Sequence, residues 1–405
     1  MNYRCILCRG GRNLCGKDFC PVILKNKAYS RAVPMLKSEL RGSTPPGIFV
    51  GRYGYPKVYI GPLLPPFSGD TSMFDTPELW YGKSIEEIVG FRMSLVRGEY
   101  TSDVSDLDRA PRIVTEMREM AMAEGSFDLE ARFSRKPGAR VILDDNSQPF
   151  GPSAPIERLE IPNFKANRLI ERVYGDTDLK ASAGVIDLYE RGALISHIEK
   201  AFSAGLLGDK KNRRLVPTRW GITAVDDTIS KDLREEIKCY STLDRFLVYR
   251  LEALDNRWQI LFLPVPWRYE LIEAWYPKTL WNQYSSSIEI FGDHEFYEGR
   301  KSYAAIGGCY YASRLAVTEH LRAMRRQAGA IVMREAHPGY VLPVGVWNVR
   351  EHVRRALKTE PREFETLDQA LTFVSNNFDI PLKKWLETSA ILKDIKQQRR
   401  IDEFR

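Results

Sequence analysis

Four of the six cysteines fall within the first twenty residues, as Cys5, Cys8, Cys15 and Cys20 in the spacing C-x2-C-x6-C-x4-C. Zn²⁺ takes four soft ligands tetrahedrally, and a two-residue spacer lets one turn offer two thiolates to one ion. Gly10, Gly11 and Gly16 permit the tight turns such a site needs. Through residue 27, Arg4, Arg9, Arg12, Lys17, Lys25 and Lys27 stand against the single acid Asp18. Their charge offsets four thiolates and lowers the thiol pKa. Structural zinc is the preferred reading. An iron–sulfur cluster and cysteines without a metal are the alternatives. Four sulfur ligands leave no open catalytic position, so the expected role is a clip on the N-terminal segment. The other role is a small basic module that touches nucleic-acid phosphates. Cys239 and Cys309 are isolated and read as buried small hydrophobes.

Two further constellations are richer than a scaffold requires. Arg213, Arg214, Arg219, Trp220, Asp226 and Asp227 lie close in sequence. Adjacent aspartates in a loop can hold a divalent cation, as in nucleases, or they can cap a helix and pair with the nearby arginines. Glu335 and His337 are two apart, before a proline. On a strand they would face one side and could act as acid or base, or form a satisfied structural pair. Between these groups runs an aromatic series, Trp258, Trp267, Tyr269, Trp275, Tyr276, Trp281 and Tyr284, interleaved with Arg257, Arg268 and Lys278. It reads either as core packing or as a platform for stacked bases. No P-loop, nucleophile elbow, dinucleotide fingerprint or HExxH motif is present.

The chain closes on QQRRIDEFR, in which Gln398, Ile401 and Phe404 are spaced three apart. In a turn of 3₁₀ helix they would share one side. An amide followed by an aliphatic and an aromatic plug is the pattern of the PCNA-interacting peptide, which docks on the sliding clamp of DNA replication. Many such peptides end in two aromatics. Here Arg405 stands where the second would be, which removes the 150–250 Å² or so that a ring can bury.

The elements that must position these groups follow from composition and pattern. The 405 residues are 43% hydrophobic and 11% aromatic, as in a globular protein with a core, and the length allows roughly two to three domains. Sixty basic and 53 acidic residues give a net charge of +7, compatible with a polyanionic partner such as DNA. No apolar run approaches the ~20 residues of a membrane helix, so no membrane association is expected. The opening MNYRCILCRGG has no apolar signal region. A cytoplasmic protein with reduced thiols is therefore expected.

Ile48–Val50 and Val58–Ile60 read as short strands around a Gly-Pro turn at 54–56. Residues 77–98 read as an amphipathic helix through Ile85, Ile88, Val89, Phe91 and Leu95. The stretch 133–155, rich in Pro, Gly, Asp and Ser, is a boundary or long loop in which 139–143 could form a strand. Two helices are expected in 181–208, a basic-then-acidic loop in 208–230, and strands at 245–251 and 258–264. A long helix and then a strand are expected in 310–336, and helices from 365 to about 396, broken at Pro381. Strands and helices mix without βαβ alternation, so the expected class is α+β. The expected organisation is a zinc module at 1–28, an α+β region at 29–155, a central α+β region at 156–360, C-terminal helices at 361–396 and a free tail at 397–405.

The strings GRYGYPKVYIGP (51–62), ELWYGKSIEEIVGFRMSLVRG (78–98), RRLVPTRWGITAVDDTIS (213–230), GGCYYASRLAV (307–317) and REAHPGYVLPVGVWNVRE (334–351) resemble the archaeal Nre family of DNA repair proteins. The similarity extends over nearly the whole chain. It implies a role in DNA-damage repair, recruitment to PCNA through the tail and metal ligation by the N-terminal cysteines. It implies no established reaction and assigns no catalytic residue. Two other functions stay open. One is an enzyme acting on nucleic acid or a nucleotide, with Arg219, Asp226, Asp227, Glu335 and His337 in one cleft. The other is a non-catalytic adaptor.

Overall fold

The computed structural model describes residues 7–8, 11–17, 20–105, 107, 109–138, 150–279, 281–283 and 285–402, with side chains as far as 397. The class is α+β. Two compact units are present: one holds the described residues of 1–10 and 21–229, the other those of 11–20 and 230–405.

In the first unit the strands are β1 (Glu39–Thr44), β2 (Ile48–Val50), β3 (Lys57–Leu64), β4 (Val96–Asp103), β5 (Phe127–Phe133) and β6 (Ser153–Glu160), in the sheet order β1-β5-β6-β4-β3-β2. The helices are α1 (Pro21–Ala32), α2 (Ile85–Ser94), α3 (Arg112–Glu119), α4 (Arg168–Gly175), α5 (Ala181–Glu190) and α6 (Ile195–Ser203), followed by α7 (Thr218–Ile237), inside which the division between units falls. The expected hairpin is present as β2 and β3. Val58 and Ile60 face the core while Lys57 and Tyr59 face outward, as a period of two requires. Gly61 sits where β3 and β4 approach closely: a Cβ there would lie 1.9 Å from the carbonyl oxygen of Gly98, so only glycine fits.

Two expectations change. The helix expected over 77–98 is shorter. A capping box starts it, with Glu87 N donating to Ser84 Oγ at 3.2 Å and Ser84 N donating to Glu87 Oε2 at 2.9 Å, and the chain turns extended at Leu95 to enter β4. The second half of the expected 208–230 loop is the start of a 20-residue helix, α7. Its stripe of Val225, Ile229, Leu233 and Ile237, four residues apart, is fully buried. The proposed strand at 139–143 lies outside the described residues.

The second unit holds β7 (Phe246–Ala253), β8 (Asn256–Leu263), β9 (Arg268–Trp275), β10 (Glu289–Glu295), β11 (Gly329–Ala336) and β12 (Arg362–Phe364), ordered β10-β9-β11-β8-β7-β12. Only β9 and β11 pair in parallel among these. Its helices are α8 (Gly308–Met324), α9 (Trp347–Ala356), α10 (Leu367–Asn376), α11 (Leu382–Thr388) and α12 (Ala390–Asp402). Ile331 and Met333 of β11 join Leu261, Leu263, Ile272 and Ala274 under Leu371, Trp385 and Leu392 of α10–α12. The alternate residues face α8 and α9, where Phe262 and Tyr249 meet His320 and Trp258 meets His352. Both faces being covered, β8 and β11 read as unbroken apolar runs. The expected break at Pro381 is there, as the N-cap of α11. The backbone of α12 continues six residues past Lys396, so the first part of the tail is α-helical and not 3₁₀.

Candidate functional sites

Glu335 lies on the β11 face that looks toward α10–α12, and the next residue on that side is His337. The expected pairing is therefore realised within the second unit: His337 Nε2 stands 3.2 Å from Glu335 Oε2. An ionised carboxylate only accepts, so the imidazole N–H donates from Nε2. Glu335 is fully buried and accepts two more bonds, from Ile380 N at 2.9 Å and Asp379 N at 3.3 Å. The ring of Tyr276 stacks on His337 with centroids 4.4 Å apart. Burial pushes the Tyr276 hydroxyl up to about 12, helped by the charges of Glu335 and Asp379, so it stays protonated at neutral pH.

Glu335, His337 and Asp379 offer ligand atoms within 4.8 Å of one another. The positive charge at this point is nevertheless already supplied by Arg257, whose Nη1 is 2.5 Å from Asp379 Oδ1 and 4.0 Å from Glu335 Oε2. A divalent cation would have to displace a guanidinium and compete with two backbone N–H groups. The arrangement is chemically a carboxylate-oriented imidazole, and it fastens the 377–381 connection to the end of β11. Asp379 and Arg257 were not legible beside Glu335 and His337, because tertiary packing alone brings them there.

The other predicted group lies in the first unit. Arg213 donates to the carbonyl oxygens of Gly208, Tyr174 and Asp176 at 2.8, 2.7 and 3.0 Å, and its guanidinium covers the Tyr174 ring. It is a fastening for the loop that leads into α7. Asp226 and Asp227 sit in mid-helix, where neighbours diverge by about 100°; Asp226 is buried and Asp227 half-buried. They do not form the paired carboxylates expected of a loop. Arg214, Arg219 and Trp220 are exposed.

The aromatic series is core, not platform. Trp258, Trp267, Tyr269 and Trp275 are fully buried. Trp281 is exposed, and Tyr284 lies outside the described residues. Exposed rings occur in both units, Tyr303 and Trp281 in the second among them, and a group of them lies in the first. Tyr53, at 78%, is the most exposed large apolar side chain among the described residues, and Tyr55 and Tyr59 are exposed beside it. Arg52 lies 5.0 Å over the Tyr53 ring. Trp220 meets Tyr55 with ring centroids 5.2 Å apart. The signal was in the sequence. Lys57 and Tyr59 alternate with Val58 and Ile60, so burying the aliphatics turns the other two outward.

At the N-terminus, Cys8 is buried, Cys15 and Cys20 are half-buried, and Cys5 lies outside the described residues. Asn13 and Gly16 both have left-handed backbone (φ 44° and 61°), closing a turn in which Gly16 N donates to Asn13 O at 2.9 Å. Among the described residues these cysteines are not gathered into a metal-binding group. The isolated cysteines differ from expectation: Cys239 is exposed and Cys309 half-buried. Of the tail, Phe404 lies outside the described residues, while the backbone at Gln398 and Ile401 belongs to α12. Among the described residues no helix is long and apolar enough to cross a membrane.

A profile described as archaeal Nre, N-terminal, matches residues 14–282, and one described as archaeal Nre, C-terminal, matches 295–404. The chain belongs to the archaeal Nre family. Among Nre relatives, it is 45% identical to the DNA repair protein NreB of Archaeoglobus fulgidus over 97% of this chain and 98% of that one. It is 38% identical to the DNA repair protein NreA of the same organism, over 95% and 96%. Haloferax volcanii NreA, also called a DNA repair protein, is 36% identical over 85% and 84%. No solved structure matches this Nre chain.

Proposed function

We propose that the protein is a DNA repair factor that docks on the PCNA sliding clamp through Gln398, Ile401 and Phe404 and works in the cytoplasm. The observation that carries the repair role is the near end-to-end similarity to the curated DNA repair proteins NreB and NreA. The C-terminal family profile runs to residue 404, so the tail belongs to the family pattern and is not an appendage to it. Tethering raises the local concentration of the body at DNA without requiring tight intrinsic affinity. Cys5, Cys8, Cys15 and Cys20 hold a structural zinc ion in this reading, with no part in a reaction.

Capture of the full chain on immobilised PCNA tests the docking, with Phe404→Ala as the comparison. Burial of one ring is worth ~1.5–3 kcal/mol, which predicts roughly 10- to 150-fold weaker capture of the variant. Equal capture of the two proteins removes the tail from the proposal.

A further inference from the structure

We infer that the β2–β3 hairpin and the N-terminal turn of α7 together form a stacking surface for single-stranded DNA, with Tyr53, Tyr55, Tyr59 and Trp220 as the rings. The choice of DNA over RNA rests on the repair reading. The surface itself rests on geometry within the first unit. Every residue from Arg52 to Lys57 is exposed, and so are Tyr59, Arg219 and Trp220. Single exposed rings are ordinary on protein surfaces, but here four are gathered in one place.

Three observations join the hairpin to residues 215–220, which lead into and begin α7. Trp220 packs on Tyr55 at 5.2 Å. Thr218 Oγ1 accepts a hydrogen bond from Val50 N at 2.9 Å. A backbone rung runs from Leu215 N to Val104 O at 2.8 Å and from Val104 N to Pro56 O at 3.1 Å. The two segments are also alike in charge. Residues 51–59 contain Arg52 and Lys57 and no acid. Residues 210–220 contain Lys210, Lys211, Arg213, Arg214 and Arg219 and no acid. Asp103, paired in register with Lys57, is a carboxylate at the margin among the described residues, and Ser105 holds it through both its N–H and its hydroxyl.

Rings that present a face to solvent, flanked by guanidinium and ammonium groups with few acids, match a chain of bases on a phosphate backbone. Stacking ignores base identity, because every base has a π-face. A duplex keeps its bases paired and stacked and offers the rings only its backbone, so the fit is to an unpaired strand. An acidic protein partner would use the same cations, but an unpaired strand offers a flat ring at every repeat beside each negative charge.

The test uses the full chain without PCNA and a fluorescent oligothymidylate of about 20 nucleotides, followed by anisotropy at about 50 mM salt. Tyr53→Ala and Trp220→Ala should each raise Kd roughly 5- to 150-fold, and Tyr53→Phe should bind like the parent. The double change Arg52→Ala with Arg219→Ala should lower the slope of log K against log salt by about 1.4, that is, about 0.7 per lost phosphate contact. These side chains lie at the surface, and thermal melts of the variants matching the parent confirm that the fold is kept. Absence of binding at micromolar protein overturns the inference. So does loss of binding in the arginine variant with no effect of the rings, which is bulk electrostatics, and so does tighter binding of duplex DNA or of oligouridylate. A chain lacking residues 398–405 should bind the oligonucleotide unchanged, and Tyr53→Ala should still be captured by PCNA. Failure of the tail and failure of the stacking surface are thereby told apart.

Discussion

Arg334 and Glu273 face each other across the parallel β9–β11 pair, with Nη1 2.7 Å from Oε1 and both side chains about 98% buried. Arg334 Nε also donates to Asn256 Oδ1 at 2.8 Å. The rings of Trp258, Trp275 and Tyr340 close around the guanidinium, with centroids 4.8, 4.8 and 4.9 Å from Cζ. The register explains the arrangement: Trp258 and Glu273 are the two cross-strand neighbours of Arg334 on β8 and β9.

Removing one member of a buried pair leaves an uncompensated charge, whereas replacing both with apolar groups is often neutral. Arg334→Met or Glu273→Leu alone should therefore destabilise the second unit by about 3–5 kcal/mol. The double variant should lose much less than the sum. Urea denaturation of the three variants checks this. Single changes that each cost under about 1 kcal/mol would mean that the pair contributes no more than a surface ion pair.

Acid should weaken the fold before most carboxylates titrate. Desolvation lowers the pKa of His197, His320 and His352 from the ordinary 6.5 to about 4, with Lys200 adding to the effect at His197. His352 Nδ1 donates to Asn348 O at 2.6 Å, which offsets part of its desolvation, and His320 Nε2 lies 3.0 Å from the Tyr249 hydroxyl. In the unfolded chain these rings take up protons as pH falls through about 6.5, while in the folded chain they do not until about 4. Stability is thus intact above pH 6.5 and is lost toward pH 4, by up to ~1.4 kcal/mol per pH unit for each histidine. The buried carboxyl of Glu270 is raised by desolvation and acts in the opposite sense above its ordinary 4.5, so it offsets part of the histidine slope between pH 6.5 and 4. Denaturation midpoints measured across that window should fall with pH, and His320→Gln should flatten the slope by one proton's share. A flat profile in the parent protein would contradict the neutral buried rings.

What could be read beforehand was local. The β2–β3 strands, the two helices α5 and α6 and the stop at Pro381 follow from period and turn chemistry within a few residues. The Glu335–His337 pairing followed from the alternation of a strand. What failed was read from polarity where periodicity should have decided. Asp226 and Asp227 drew residues 218–230 toward a loop, although Val225, Ile229 and Leu233 mark a helical stripe beside them. For Trp258, Trp267 and Trp275 both core packing and base stacking stood open in the sequence, and their burial decides for the core. Arg334 and Arg257 turn out to be partnered inside the unit, where no spacing along the chain announces them.

The N-terminal cysteines give the last prediction. The spacing of Cys5, Cys8, Cys15 and Cys20 offers four thiols whose charge, once deprotonated, the arginines and lysines of residues 1–27 would offset. A thiolate without a cation would be poorly placed in a buried position, so the basic residues and a Zn²⁺ ion act in the same direction. Protein purified without chelator should contain about one zinc per chain by elemental analysis. Cys8→Ser should lose most of that metal and melt at a lower temperature. Stripping the parent with a strong chelator should lower its melting temperature to the same extent, and added zinc should restore it. Metal-free parent protein whose four N-terminal thiols all react at once with a thiol reagent would rule the zinc site out.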